Sequence, residues 1–172
     1  MLNKRVEEAL NSQLVIEANS SHYYLAIASW AETKGLNGTS EFFYEQSDEE
    51  RMHMLRLVKF INERGGQAII PQVDMPPKDF GTITNVFNEF LSHELLVSAK
   101  VNEVVGVCHE EKDFATMNFM QWYVSEQIEE EALVRSIIDK LNLIDGEKSG
   151  LYMFDRDLKT IKSPQITINN DI

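Results

Sequence analysis

The stretch Glu49-Glu50-Arg51-Met52-His53 decides how the rest of the chain is read. Glu50 and His53 are three residues apart, which on a helix puts both side chains on one face, about one turn from each other. The flanking sequence has a helical pattern from about Ser40 to Arg64, with the stripe Phe43, Gln46, Glu50, His53, Leu57, Phe60 at alternating spacings of three and four. The pair therefore stands where core leucines belong and not on the wet face. A carboxylate and an imidazole so placed can hold one metal ion between them. A charged group in a core stripe is costly unless something compensates it. A single Glu-x-x-His is by itself a weak motif, so the reading turns on whether other helices bring matching acids.

The chain has 172 residues, enough for one domain with a sizeable core, and its 43% hydrophobic and 26% charged residues are ordinary for a globular protein. Eight glycines and four prolines leave room for long unbroken helices. One cysteine, Cys108, excludes an intrachain disulfide and a cysteine-based zinc site, and it reads as a small core residue. Met1-Leu2-Asn3-Lys4-Arg5 lacks an apolar signal core and no stretch approaches a membrane span, so a cytoplasmic protein is expected. A net charge of −12 and a pI near 4.7 argue against nucleic acid and anionic membrane as partners and favour cations.

Working outward, a first helix is expected from about Lys4 to Lys34, with the stripe Leu10, Leu14, Glu17, Ser21, Tyr24, Ala28, Ala31. Gly35 stops it, Asn37-Gly38 turns the chain, and Thr39 or Ser40 caps the second helix, which Gly65-Gly66 closes. Residues 67–81, with Pro71, Pro76 and Pro77, are too broken to be helical. About fifteen extended residues reach ~50 Å and a helix of about 26 residues spans ~40 Å, so this segment can cross the whole domain and leave helices two and three parallel. The third helix runs from about Ile83 to Glu111, capped by Thr82, with the stripe Phe87, Phe90, Glu94, Val97, Val101, Val104, Cys108. The fourth is capped by Asp113 and runs to about Ile144, with Met120, Tyr123, Gln127, Glu130, Val134, Ile137, Leu141; Asp145-Gly146 ends it. A short amphipathic helix follows from Gly150 to about Thr160. The expectation is an all-α, four-helix bundle with one long crossover and a short fifth helix over residues 1–162, and a polar, mobile tail over 163–172.

Each stripe is interrupted by a carboxylate: Glu17, Glu50 (with His53), Glu94 and Glu130. Their heights agree. Glu94 lies as far before the turn at Glu111–Asp113 as Glu130 lies after it, so the two meet in an antiparallel pair, and Glu17 comes level with Glu50 and His53. Four carboxylates at one depth of an apolar core either hold protons or surround a cation. Oxygen ligands with one imidazole suit iron, manganese or zinc.

Over nearly the whole chain the residues resemble the bacterial non-haem ferritins. The likeness rests on Glu17, on Glu50-x-x-His53, on Glu94, on the run Gln121-Trp-Tyr-Val-Ser-Glu-Gln-Ile-Glu-Glu-Glu131 and on Ser136-Ile-Ile-Asp-Lys-Leu141. The resemblance implies an iron-storing ferroxidase that oxidises ferrous iron with dioxygen or hydrogen peroxide. It implies that Glu17, Glu50 and His53 hold a first iron and that Glu50 bridges to a second. Glu94 and Glu130 complete the second, with Gln127 close by and Tyr24 beside the pair. It implies a third iron position from Glu49, Glu126, Glu129 and Glu130 facing a storage cavity, and a hollow homo-oligomer of twenty-four subunits with the fifth helix near its fourfold axis.

The chain also departs from related patterns. Arg51 stands where bacterioferritins place their haem-binding methionine, with Met52 one residue further, so no haem is expected. Gln127 and Glu130 replace the second Glu-x-x-His of bacterioferritins and di-iron oxidases, which makes the second iron position the weaker one. Met117 and Met120 stand where animal ferritins line a threefold channel with acids, which speaks against that entry route. His22, His93 and His109 read as surface or satisfied core residues, Glu131 as surface, and Trp30 and Trp122 as packing or interface residues. The competing readings are a di-iron or di-manganese oxidase acting on a small substrate or peroxide, and a scaffold whose core acids only hydrogen-bond.

Overall fold

The computed structural model describes residues 2–144 and 148–161. Four long helices and one short one carry the fold: α1 Lys4–Thr33, α2 Asn37–Glu63, α3 Ile83–Glu110, α4 Phe114–Leu143 and α5 Lys148–Leu158. The turn at Asp145-Gly146 and the tail 163–172 lie outside the described residues. Three starts are capped by side chains that satisfy orphan N–H groups: Asn3 accepts from Arg5, Thr82 from Asn85 and Asp113 from Thr116. Gly35 follows α1 at φ +75, the left-handed conformation that ends a helix.

The start of α2 corrects the expected Thr39 or Ser40 cap. The helix begins at Asn37, three residues before Ser40, and the preceding Leu36 has no polar side chain to offer. Asp155 of α5 does the capping from outside. It accepts from Gly38 N at 3.0 Å, Thr39 N at 2.8 Å and Thr39 Oγ1 at 2.8 Å. Gly38 makes that approach possible, because a Cβ there would lie 1.6 Å from the Asp155 carbonyl oxygen. The fifth helix is thus joined to the bundle by a helix terminus as well as by Phe154 and Leu158.

Side-chain pairings fix the directions. Ser20 meets His93 and Tyr23 meets Glu89, so α1 and α3 are antiparallel. Tyr123 meets the His53 carbonyl and Arg64 meets Asp113, so α2 and α4 are antiparallel as well. Helices α2 and α3 are therefore parallel, as the length of the crossover suggests. Side chains of α1 hold that crossover along its course. Gln67 N donates to Glu7, Ile69 N to Asn11 and Asp74 N to Asn19, while Trp30 Nε1 donates to Asp79.

The core is divided. One apolar cluster packs Tyr24, Ile27, Phe43, Phe87, Phe90, Val134, Ile137 and Phe154. The other packs Leu10, Leu14, Leu57, Ile61, Val97, Val101, Met120 and Tyr123. Between them lies a layer of buried polar groups. One expectation needs adjusting. Ser21 is not core but joins α1 to α2 through reciprocal bonds with Ser47, each hydroxyl donating to the other's carbonyl at 2.8 Å. Met120 is fully buried, as its place in the α4 stripe implies.

Candidate metal centre

The polar layer is built from Glu17 on α1, Glu50 and His53 on α2, Glu94 on α3, and Gln127 and Glu130 on α4; none is more than 7% exposed. Each stands at a stripe position that helical periodicity turns inward, so forming the helices suffices to bring them together. One ligand atom from each of Glu17, Glu50 and His53 falls within 4.8 Å of the others. His53 Nδ1 lies 3.3 Å from Glu50 Oε2 and 3.8 Å from Glu17 Oε2. Gln13, one turn before Glu17 and buried, donates to Glu17 Oε1 at 2.8 Å and orients the carboxylate.

Glu94 is held differently. The Tyr24 hydroxyl donates to Oε1, and Gln127 Nε2 donates to Oε2 at 3.0 Å and to the Glu94 carbonyl at 3.3 Å. Burial drives every carboxyl upward, and the neighbouring negative charges add to it. Glu17, Glu50 and Glu130 are all pushed well above the ordinary carboxylate range. Glu94 rises only to about 6, because Tyr24 and Gln127 stabilise its charge. Burial and the same carboxylates push the Tyr24 hydroxyl up, so it stays protonated and able to donate.

Glu17 Oε2, Glu50 Oε2 and Glu130 Oε2 are buried and accept no hydrogen bond. Each such orphan costs on the order of 1–3 kcal/mol, more when charged. A proton shared between Glu17 and Glu50 would still leave Glu130 Oε2 without a partner. A cation in the layer would serve all three, and carboxylate oxygens with one imidazole fit a divalent or trivalent ion of intermediate to hard character.

Glu49 on α2 and Glu126 and Glu129 on α4 are half-buried. Gln46 Nε2 donates to Glu49 Oε2 at 2.7 Å and also bonds Glu130, so it ties this group to the inner layer. Glu129 Oε2 is another buried oxygen without a hydrogen bond, and burial raises Glu126.

Several residues around the layer were not singled out from sequence. Gln46 interrupts its stripe as Gln127 does, so the stripes are not broken by carboxylates alone. Gln13 could have been found one turn from Glu17. Tyr123, whose hydroxyl donates to the His53 carbonyl at 2.8 Å, is a stripe residue. Trp122 does more than pack at a distance: its ring stands edge-on to His53 with centroids 5.1 Å apart. His93 is satisfied by Ser20 Oγ at 2.8 Å and by stacking on Tyr23, while His22 and His109 are exposed. Glu131 pairs with Arg135 and Ser98 and stays out of the layer.

A family model described as a ferritin-like domain matches residues 7–144. A probable bacterial non-heme ferritin-like protein of Haemophilus influenzae is 39% identical over 163 residues, 95% of this chain and 99% of the relative. A bacterial non-heme ferritin of Campylobacter jejuni is 37% identical over 94% of this chain and 96% of its own. Among solved structures, an open pore ferritin from Archaeoglobus fulgidus superposes with a TM-score of 0.91 at 38% identity, covering 94% of this chain and all of the other.

Proposed function

The chain belongs to the ferritin family and is an iron-storage protein of the bacterial non-haem kind; we propose that it fills its store by oxidising ferrous iron at the buried carboxylate layer. The observation that carries this reading is the convergence of buried carboxylates from all four helices into one dry layer, in which one oxygen each of Glu17, Glu50 and Glu130 accepts no hydrogen bond.

In this reading Glu17, Glu50 and His53 receive the first ferrous ion, and Glu94 and Glu130 the second. Glu50 senses Glu94 and Glu130 as well as Glu17, which suits it to bridge the two. The second position has no imidazole, and Gln127 and Tyr24 already hold Glu94, so its ion exchanges more readily. Binding displaces the protons that burial keeps on the carboxyls. Oxygen ligands stabilise ferric over ferrous iron, so the site favours loss of an electron from each ion. Two ferrous ions give two electrons to dioxygen, which takes two protons and leaves as hydrogen peroxide; peroxide in turn accepts two electrons and two protons to give water. The ferric product passes to Glu49, Glu126 and Glu129 and then to a mineral.

The store is a hollow assembly of twenty-four such chains, in the cytoplasm. Large apolar side chains exposed on the single chain, among them Leu96, Phe114, Ile128 and Tyr152, support burial between subunits. No described helix is long and apolar enough to cross a membrane. Aerobic ferrous titration of the assembled protein tests the reading. It should yield a soluble amber product holding far more iron than the site ligands could, and Glu50→Ala should abolish the fast phase because both positions lose a ligand. Wild-type oxidation kinetics in an assembled Glu50→Ala protein would rule the site out.

A further inference from the structure

Among the described residues Arg56 has no carboxylate partner. Its guanidinium carbon lies 4.3 Å from the centre of the Trp122 ring and 5.4 Å from that of Phe119, and its buried Nε makes no hydrogen bond. Among the described residues no acid comes within ion-pair distance of it. In a chain with 28 acidic and 16 basic residues, a half-buried arginine that faces rings in place of an acid needs a reason. Its position supplies one. Arg56 is two turns beyond Glu49 on α2, and Trp122 is one turn before Glu126 on α4. The guanidinium therefore sits at the end of the half-buried acid group, held a turn away by stacking on aromatic faces.

We propose that Arg56 is a positioning residue for iron transit: a fixed positive charge that keeps Glu49, Glu126 and Glu129 from holding a cation tightly, and repels ferric iron more strongly than ferrous. This rests on the reading of those acids as a cation position. The stacking matters because an arginine paired with Glu126 would consume the ligand. Held off by Trp122, it acts through its field alone. Repulsion scales with the charge of the bound ion, so it is half again as large for a trivalent ion as for a divalent one. Across the ~10 Å that two helical turns rise, with the local dielectric constant approaching that of water, one charge weakens a divalent ion about fivefold to tenfold.

The experiment is calorimetric titration of the assembled, metal-free protein with zinc ion alone, at low and high salt, on the wild type, Arg56→Met, Arg56→Lys and Glu126→Gln. Methionine keeps an apolar stem on the rings while removing the charge. The binding step lost in Glu126→Gln should tighten about fivefold to tenfold in Arg56→Met at low salt, stay within twofold of wild type in Arg56→Lys, and converge at high salt as screening grows. Recovery of fast oxidation after a first ferrous addition should slow in Arg56→Met. An unchanged step, or a tightening indifferent to salt, would overturn the proposal while leaving the acid group as a cation position. If no zinc step depends on Glu126, the cation position fails and this inference fails with it.

Discussion

Replacing Glu94 by Gln should change how the stability of the metal-free protein depends on pH, by an amount the site fixes. Glu94 is fully buried and its carboxyl is raised from 4.5 to about 6, first by burial, against the opposing donation from Tyr24 and Gln127, and with a smaller push from Glu17. Below pH 4.5 the folded and unfolded chains both hold the proton. Between 4.5 and about 6 the folded chain keeps it and the unfolded chain has lost it, so unfolding releases a proton and stability falls as pH rises. Above about 6 the loss is complete, and it amounts to about 2 kcal/mol for this group. Glutamine cannot titrate, so the stability of wild type minus that of Glu94→Gln should drop by about 2 kcal/mol between pH 4 and pH 7.5. Any fixed cost of turning an amide toward Tyr24 and Gln127 shifts both ends equally and cancels in that slope. The assay is denaturant unfolding of both proteins at one protein concentration with a chelator present, so that the assembly contribution also cancels. A difference that is flat with pH, or that moves in favour of the wild type as pH rises, would refute the claim that the layer carries uncompensated charge when empty. Saturating zinc ion should then reverse the order at pH 7.5, because the wild type regains the compensation and the variant has lost a ligand.

Glu130→Ala should weaken the second cation position more than the first, and equal losses in a titration would contradict the proposed division of ligands. Tyr24→Phe removes the donor that restrains Glu94, so the Glu94 carboxyl rises further and the pH of half-maximal ferrous binding moves upward; an unmoved midpoint would count against that hydrogen bond. Asp155→Ala should cost about 1–2 kcal/mol at the start of α2 and raise hydrogen exchange across α5, with Gly38→Ala worse because its Cβ would lie 1.6 Å from the Asp155 carbonyl. Unchanged exchange in α5 would show that Phe154 and Leu158 alone hold that helix.

The four long helices were legible because each carries its own stripe at helical spacing, with a polar cap before α1, α3 and α4 and a glycine soon after α1, α2 and α4. The acid layer was legible for the same reason. A glutamate at a stripe position cannot turn outward without taking the core residues of its helix with it, so Glu17, Glu50, Glu94 and Glu130 had to meet. What could not be read were contacts between elements distant in the chain. Nothing local to Thr39 says that Asp155 will cap its helix, and a hydroxyl before a helical run is the ordinary signal for a cap made in place. Gln13 and Gln46 were passed over because an amide in a stripe tolerates many surroundings, whereas a carboxylate there tolerates few.

The division of the core into two apolar clusters explains how the fold survives such a layer. Each cluster has rings and branched side chains from all four helices. The bundle is therefore closed on both sides of the acids, and the cost of burying them falls on a short section that the rest can carry. That arrangement also sets the chemistry. With apolar packing above and below, a cation in the layer is met by carboxylates from every helix and by little water, and the amides of Gln13, Gln46 and Gln127 hold those carboxylates without adding charge. A site held only by its ligands would tighten around whatever it bound. Here the helices are fixed by the flanking clusters, so the acids stay in place when the ion leaves, and the energy of three unpaired buried oxygens is available to draw in the next one.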